Sequence, residues 1–275
     1  QTTTFAPMII LAYIASLAIG LSLGLLGGGG SILTVPVLVY LFGIDPVSAT
    51  AYSLFIVGAT SMGGIIPKAK QGLVDFKVAL WFGAPSVLMV YITRAWILPA
   101  IPTELILFGD FSLTKGTALM LLFAIMMLWA GRGMIKDPKS KNKQPAISGA
   151  KRVAFILFEG AVIGLLTGLI GAGGGFLIIP ALVLVTGLNM KVAVGTSLTI
   201  IAFKSLLGFT GDMGHMVMDW NLLLTVTAAA LVGMLIGNHL SNYVDTDRLK
   251  KAFGIFVLSM GCLVIVLELN AYSFL

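Results

Sequence analysis

Two clusters of glycine interrupt the apolar runs of this 275-residue chain. Gly27, Gly28, Gly29 and Gly30 are followed by Ser31, and Gly171, Ala172, Gly173, Gly174 and Gly175 are followed by Phe176. Such stretches tolerate positive φ and leave backbone amides uncovered. Each also feeds the start of an apolar segment, where free N–H groups and the positive end of a helix dipole favour an anion. The expected ligand is therefore a small anion. Ser53, Thr196 and Ser197, with Ser61 and Ser205 beyond them, follow the clusters and can donate hydroxyl hydrogen bonds to an oxoanion. Lys204, inside SLTIIAFKSLLGF, adds a charge where an apolar helix rarely carries one. Each of these has a structural alternative. Glycines let helices pack closely, Ser and Thr bond their own helix, and a lysine stem reaches for an interface.

Other chemistries are excluded or weakened by what is missing. GLLGGGGS lacks the Gly-Lys-Ser/Thr ending of a nucleotide phosphate loop and lies between apolar helices, so no ATP site is expected. Cys262 is the single cysteine, which removes intrachain disulfides, Cys-based zinc and CxxC redox pairs. Its apolar surroundings predict a buried thiol. Asp212, His215 and Asp219 read as a solvated loop rather than a metal site. Arg94 and Trp96 read as interface anchors. Glu159, about two turns into an apolar run, is expected either to pair with a nearby Lys or Arg or to take up a proton or cation. No Ser/His/Asp set shares a plausible face, so neither an enzyme, a cofactor nor a metal is expected.

The elements that must position these residues follow from composition. Of the chain 58% is hydrophobic and 10% charged, against roughly 25% charged in soluble domains. A polytopic all-α membrane protein is expected. Eight runs approach the roughly 20 residues a spanning helix needs: 8–26, 49–66, 77–98, 117–134, 153–170, 193–209, 221–240 and 252–269. The runs 31–42 and 175–186 are too short, since about 12 residues reach about 18 Å of a roughly 30 Å core. The net charge of +6 does not point to nucleic acid, because seven of the 17 Lys and Arg fall between Arg132 and Arg152, which marks topology. The opening QTTTFAP shows no intact signal peptide pattern.

The chain contains a repeat. A shift of 144 residues lays GLSLGLLGGGGSILTVPVLVYLFG, from Gly20, on GLLTGLIGAGGGFLIIPALVLVTG, from Gly164, with 18 identities over the 45 positions Gly20 to Gly64. Two repeats, 1–134 and 153–275, are joined by a basic linker, 135–152. With that linker cytoplasmic, Lys68, Lys70 and Lys77 also fall inside, whereas the equivalent loop with Asp212, His215 and Asp219 falls outside. The halves are thus expected to be inverted, with about five segments each and a short helix completing a crossing after each glycine turn. Eight spans with two re-entrant hairpins is the alternative.

Through GLSLGLLGGGGSILTVPVLV, GLIGAGGGFLIIPALVLV and GTSL at Gly195 to Leu198, the sequence resembles the TauE/SafE family of sulfite exporters over nearly its whole length. The first half departs from the last motif, reading TAYSL, so only Ser53 carries over there. The resemblance implies a permease in the cytoplasmic membrane for sulfite, thiosulfate or an organosulfonate. Such a permease would work by alternating access at a midplane site between the glycine turns. An anion channel or a non-transporting assembly subunit remains the alternative. A coupling proton or cation and homo-oligomerisation are left open. The named partners are the sulfur anion and the lipid bilayer.

Overall fold

The structure, a computed structural model, describes residues 5–108, 111–135, 150–241, 243 and 246–273. Linker residues Lys136, Lys139, Lys141 and Lys143 lie outside that set, as does most of the 135–152 segment. The fold is an all-α bundle. In the first half α1 (Phe5–Leu26) runs into a 3-10 turn, Gly27–Leu33, and then α2 (Thr34–Tyr40), α3 (Pro46–Lys70), α4 (Phe76–Ile92), a π turn at Thr93–Ile97, the last turn α5 (Leu98–Ala100) and α6 (Lys115–Ile135). The second half has α7 (Ala150–Ile170), α8 (Gly175–Ala181) with a π turn at Leu182–Thr186, α9 (Met190–Thr210), α10 (Trp220–Leu240) and α11 (Thr246–Ser273).

Among the described residues, seven stretches are long and apolar enough to cross a membrane, and α11 carries a shorter apolar segment, Gly254–Asn270. Positive φ at Gly27, Gly171, Gly173 and Gly174 breaks the helices at the expected clusters. Each following helix keeps seven regular residues, shorter than the runs of about 12 expected, because a 3-10 turn takes up the first residues of one and a π turn the last of the other. Repeat-equivalent residues start the next helices. Asp45 and Asn189 accept from the amides of Ser48 and Val192, while Asp75 and Asp219 accept from Val78 and Leu222.

One expected loop is a hairpin. β1 (Glu104–Phe108) pairs antiparallel with β2 (Phe111–Thr114), and Lys115 Nζ ties its base to the Leu98 and Ile101 carbonyls at 3.2 and 3.1 Å. Two short apolar stretches around Gly109-Asp110 were the sequence signal for it. A second correction concerns Cys262, which is exposed rather than buried, since α11 turns that face outward.

Glycine contacts set the helix pairings and their sense. Gly20 faces Ala230 and Met234, and Gly24 faces Gly237 and Asn238, so α1 and α10 run parallel. Gly160, Gly164 and Gly168 meet Phe82, Ser86 and Thr93, so α7 runs parallel to α4. Gly83, Gly208 and Gly211 meet Ile200, Val90 and Arg94, making α4 and α9 parallel. Tyr52 with Asp219 and Gly63 with Leu231 make α3 and α10 parallel. By contrast, Gly58 with Leu206 and Gly64 with Leu198 make α3 and α9 antiparallel, and Gly131 with Leu258 and Gly261 with Met127 do the same for α6 and α11.

A Cβ at Gly20 or Gly164 would collide with the facing backbone, whereas Gly133 has nothing within 4 Å. Gly20→Leu and Gly164→Leu are expected to cost about 1–3 kcal/mol or more, and Gly133→Ala to stay within about 0.5 kcal/mol of wild type. Thermal unfolding of the three variants in detergent checks this ranking.

Candidate functional site

The two glycine turns meet at the centre of the bundle. Residues 27 to 31 and 171 to 176 are buried, and the backbones of Gly28 and Gly175 lie so close that a Cβ on either would strike the other. The turns are clasped by equivalent residues of α3 and α9. Gly171 abuts Thr50 and Gly27 abuts Val194, while Val57 closes on Gly173 and Ile201 on Gly28. Ala172, Gly29 and Gly30 fill the remaining buried positions, with Gly30 packed on Ser22, and Phe176 joins the hydrophobic core.

Lys204 of α9 lies beside this junction. It is 0% exposed, stands against Gly174, and donates from Nζ to Thr167 Oγ1 of α7 at 2.8 Å. Thr167 passes its own hydrogen on to the Ile163 carbonyl at 2.7 Å. An ammonium has three donors, yet no carboxylate among the described residues forms an ion pair with this one. The stem does not reach an interface, so the snorkelling alternative does not describe it. In the first half the equivalent places hold Thr60 and Leu23. Among the described residues the charge at the junction therefore comes from one repeat, and the Thr60 hydroxyl is buried without a hydrogen-bond partner.

The hydroxyl candidates divide. Ser53 Oγ is buried with no hydrogen-bond partner among the described residues, as are Ser61 Oγ and its repeat equivalent Ser205 Oγ. Ser31 donates to the Gly28 carbonyl at 2.7 Å and Ser197 to the Val194 carbonyl at 2.8 Å, each bonding its own helical turn. Thr196 Oγ1 accepts from the Asp75 amide at 2.9 Å, as its repeat equivalent Tyr52 Oη accepts from the Asp219 amide at 2.6 Å. Thr196 thus pins a helix start, with its one hydrogen left to give. Asp219 is a helix cap rather than a free loop residue.

A buried ion pair was missed from the sequence. Arg94, expected at an interface, is 0% exposed, and Asp212, expected in a solvated loop, is 2% exposed. Arg94 Nη1 lies 3.4 Å from Asp212 Oδ2 and donates to Thr50 Oγ1 at 3.1 Å. The π turn at Thr93–Ile97 and the lack of a side chain on Gly211 let the arginine fold inward. Burial pushes the Asp212 carboxyl above its ordinary range, with Arg94 and then His215 pulling it back. His215 Nδ1 is held at 3.1 Å from the Gly211 carbonyl. Trp96, by contrast, is exposed and meets Tyr91 edge-on, as an interface residue would. Glu159 Oε2 is buried with no hydrogen-bond partner among the described residues.

The model of the sulfite exporter TauE/SafE family matches residues 12–264, spanning both glycine turns, Lys204 and the Arg94–Asp212 pair. The chain belongs to the TauE/SafE family. A Xylella fastidiosa relative named as a probable membrane transporter protein is 28% identical over 254 residues, covering 90% of this chain and 91% of that one. The Bacillus subtilis probable membrane transporter protein YunE is 27% identical over 281 residues, covering 94% and 96%. A third, MJ0441 of Methanocaldococcus jannaschii, is 31% identical over 110 residues, or 38% of this chain and 41% of its own. No solved structure matches. This TauE/SafE protein is thus a multi-pass membrane transporter.

Asp212→Asn leaves the Arg94 guanidinium buried without a counter-charge. It is expected to cost about 3–5 kcal/mol, whereas replacing both residues together, Arg94→Met with Asp212→Leu, should recover most of that loss. Thermal unfolding of the single and double variants gives the comparison.

Proposed function

We propose that this transporter moves a small sulfur-containing anion, sulfite, thiosulfate or an organosulfonate, through a site where the two glycine turns cross. The observation that carries this reading is Lys204. Among the described residues this fully buried ammonium has no acid partner and one hydrogen bond, and it lies against Gly174. Isolated charge in an apolar interior is costly and persists where a ligand of opposite sign relieves it. An oxoanion supplies acceptors for the remaining ammonium hydrogens, for the hydroxyls of Ser53, Thr60, Ser61 and Ser205 that have no partner among the described residues, and for amides of the two turns other than those of Gly171 and Gly174, which already donate to the Thr167 and Ala172 carbonyls.

Alternating access is the proposed mechanism, with the two repeats inverted. The helix senses support it. α1 parallels α10 and α10 parallels α3, so α1 and α3 point the same way. The short segment between them must then return across the bundle. The same chain of contacts, α7 with α4 and α4 with α9, applies in the second half, and α3 against α9 sets the halves in opposite directions. In this arrangement the turns close on each other in one state and part on one side at a time as the repeats rock. The repeats 1–134 and 153–275 would be the moving bodies, joined by the cytoplasmic linker 135–152. A coupling ion and further copies of the chain are compatible with the same scheme.

Lys204→Met is the direct test. It removes the charge and keeps an unbranched apolar stem, so sulfite counterflow in proteoliposomes is expected to fall by roughly tenfold or more, the scale of about 1.4 kcal/mol of binding. The same variant is expected to melt higher than wild type, because an unpaired buried cation is gone. Unchanged saturable counterflow would remove Lys204 from the site.

A further inference from the structure

Arg94 presents more than an ion pair. Its Nη1 is occupied, at 3.1 Å from Thr50 Oγ1 and 3.5 Å from Asp212 Oδ1, while Nε and Nη2 are both buried with no hydrogen-bond partner among the described residues. Those two nitrogens share one edge of the planar guanidinium. That edge is a fork matched to two oxygens of one oxoanion, a shape that a point-charge ammonium lacks. Leaving it empty and buried costs free energy that a ligand would relieve.

Its surroundings tie the fork to the glycine junction. Thr50, which holds Nη1, packs directly on Gly171, and Ser53, one turn further along α3, has a free buried hydroxyl. The Gly171 to Gly174 turn therefore has Lys204 at one end and Arg94, through Thr50, at the other. The pair with Asp212 is loose, at 3.4 to 3.5 Å, against about 2.7–2.9 Å for a well-formed charge-assisted bond. The repeat-equivalent positions of Arg94 and Asp212 hold Asn238 and Lys68, so the other end of the path has no such fork.

We propose that the Nε–Nη2 edge of Arg94 is a second oxoanion subsite on the path, and that Asp212, on Nη1, holds the guanidinium in place with its free edge presented to the passing substrate. This rests on the sulfur-anion reading above. It adds a residue that discriminates by shape, since sulfite and sulfonates present two oxygens to the fork and a halide cannot.

The test uses the full chain in detergent with sodium sulfite, methanesulfonate and chloride at matched ionic strength. Arg94→Lys keeps the charge and loses the fork, so sulfite and methanesulfonate should bind roughly tenfold more weakly while chloride is unchanged. Asp212→Asn removes the negative charge beside the fork and leaves Arg94 without a counter-charge, so methanesulfonate should raise its melting temperature by more than it raises that of wild type. Wild-type binding by Arg94→Lys, or equal losses for sulfite and chloride, would overturn the proposal. Should Arg94→Lys not fold, Asp212→Asn decides alone, and stabilisation no greater than in wild type is the contrary result. Loss confined to these variants' tests leaves the transport reading standing, whereas a wild-type protein that binds no sulfur anion ends both.

Discussion

Inside a membrane, irregular backbone and charge persist only where protein, water or a solute satisfies them. This chain places both at one point. The glycine turns break two helices deep in the bundle, and a fully buried lysine stands against one of them. The rest of the architecture accommodates that junction. Glycines along α1, α7 and α10 bring backbones into contact, so that the turns are enclosed by helices rather than lipid. Helix caps at Asp45, Asn189, Asp75 and Asp219 settle the neighbouring helix starts without drawing on the residues at the centre.

The two repeats share a scaffold and differ in polarity. Thr196 and Tyr52 do the same job for equivalent helix starts, and Val194 and Thr50 back equivalent turns. The buried charges do not come in like pairs. Lys204 answers to Thr60, Thr167 to Leu23, Arg94 to Asn238 and Asp212 to Lys68. A symmetric frame would let the halves exchange roles in the proposed cycle. In the proposed scheme these residues give the site its sign and make its two approaches chemically unlike, with an arginine–aspartate pair at one and the Asn238 and Lys68 positions at the other.

Much of this was legible in the sequence, because a membrane simplifies the code. Apolar run length located the long helices, and duplication of Gly27, Gly171 and their neighbours marked the breaks. What stayed hidden depended on which helices touch. Arg94 and Asp212 are 118 positions apart, each near a helix end, where a surface role is the ordinary expectation. Only the parallel packing of α4 on α9 makes them partners. The duty of Thr196 was hidden for the same reason, since its partner, the Asp75 amide, belongs to the other repeat. The hairpin at Glu104–Thr114 is an insertion that the repeat does not contain, so the internal comparison could not reveal it.

The central claim is that an anion-selective site exists where the turns and Lys204 meet. Thermal stabilisation of the purified protein by sulfite, thiosulfate, sulfate, sulfoacetate, phosphate and chloride at matched ionic strength tests it most directly. The account predicts a saturable rise in melting temperature with one or two sulfur oxoanions and none with chloride. An equal response to every anion, or saturable stabilisation by chloride with none by sulfur oxoanions, would contradict it.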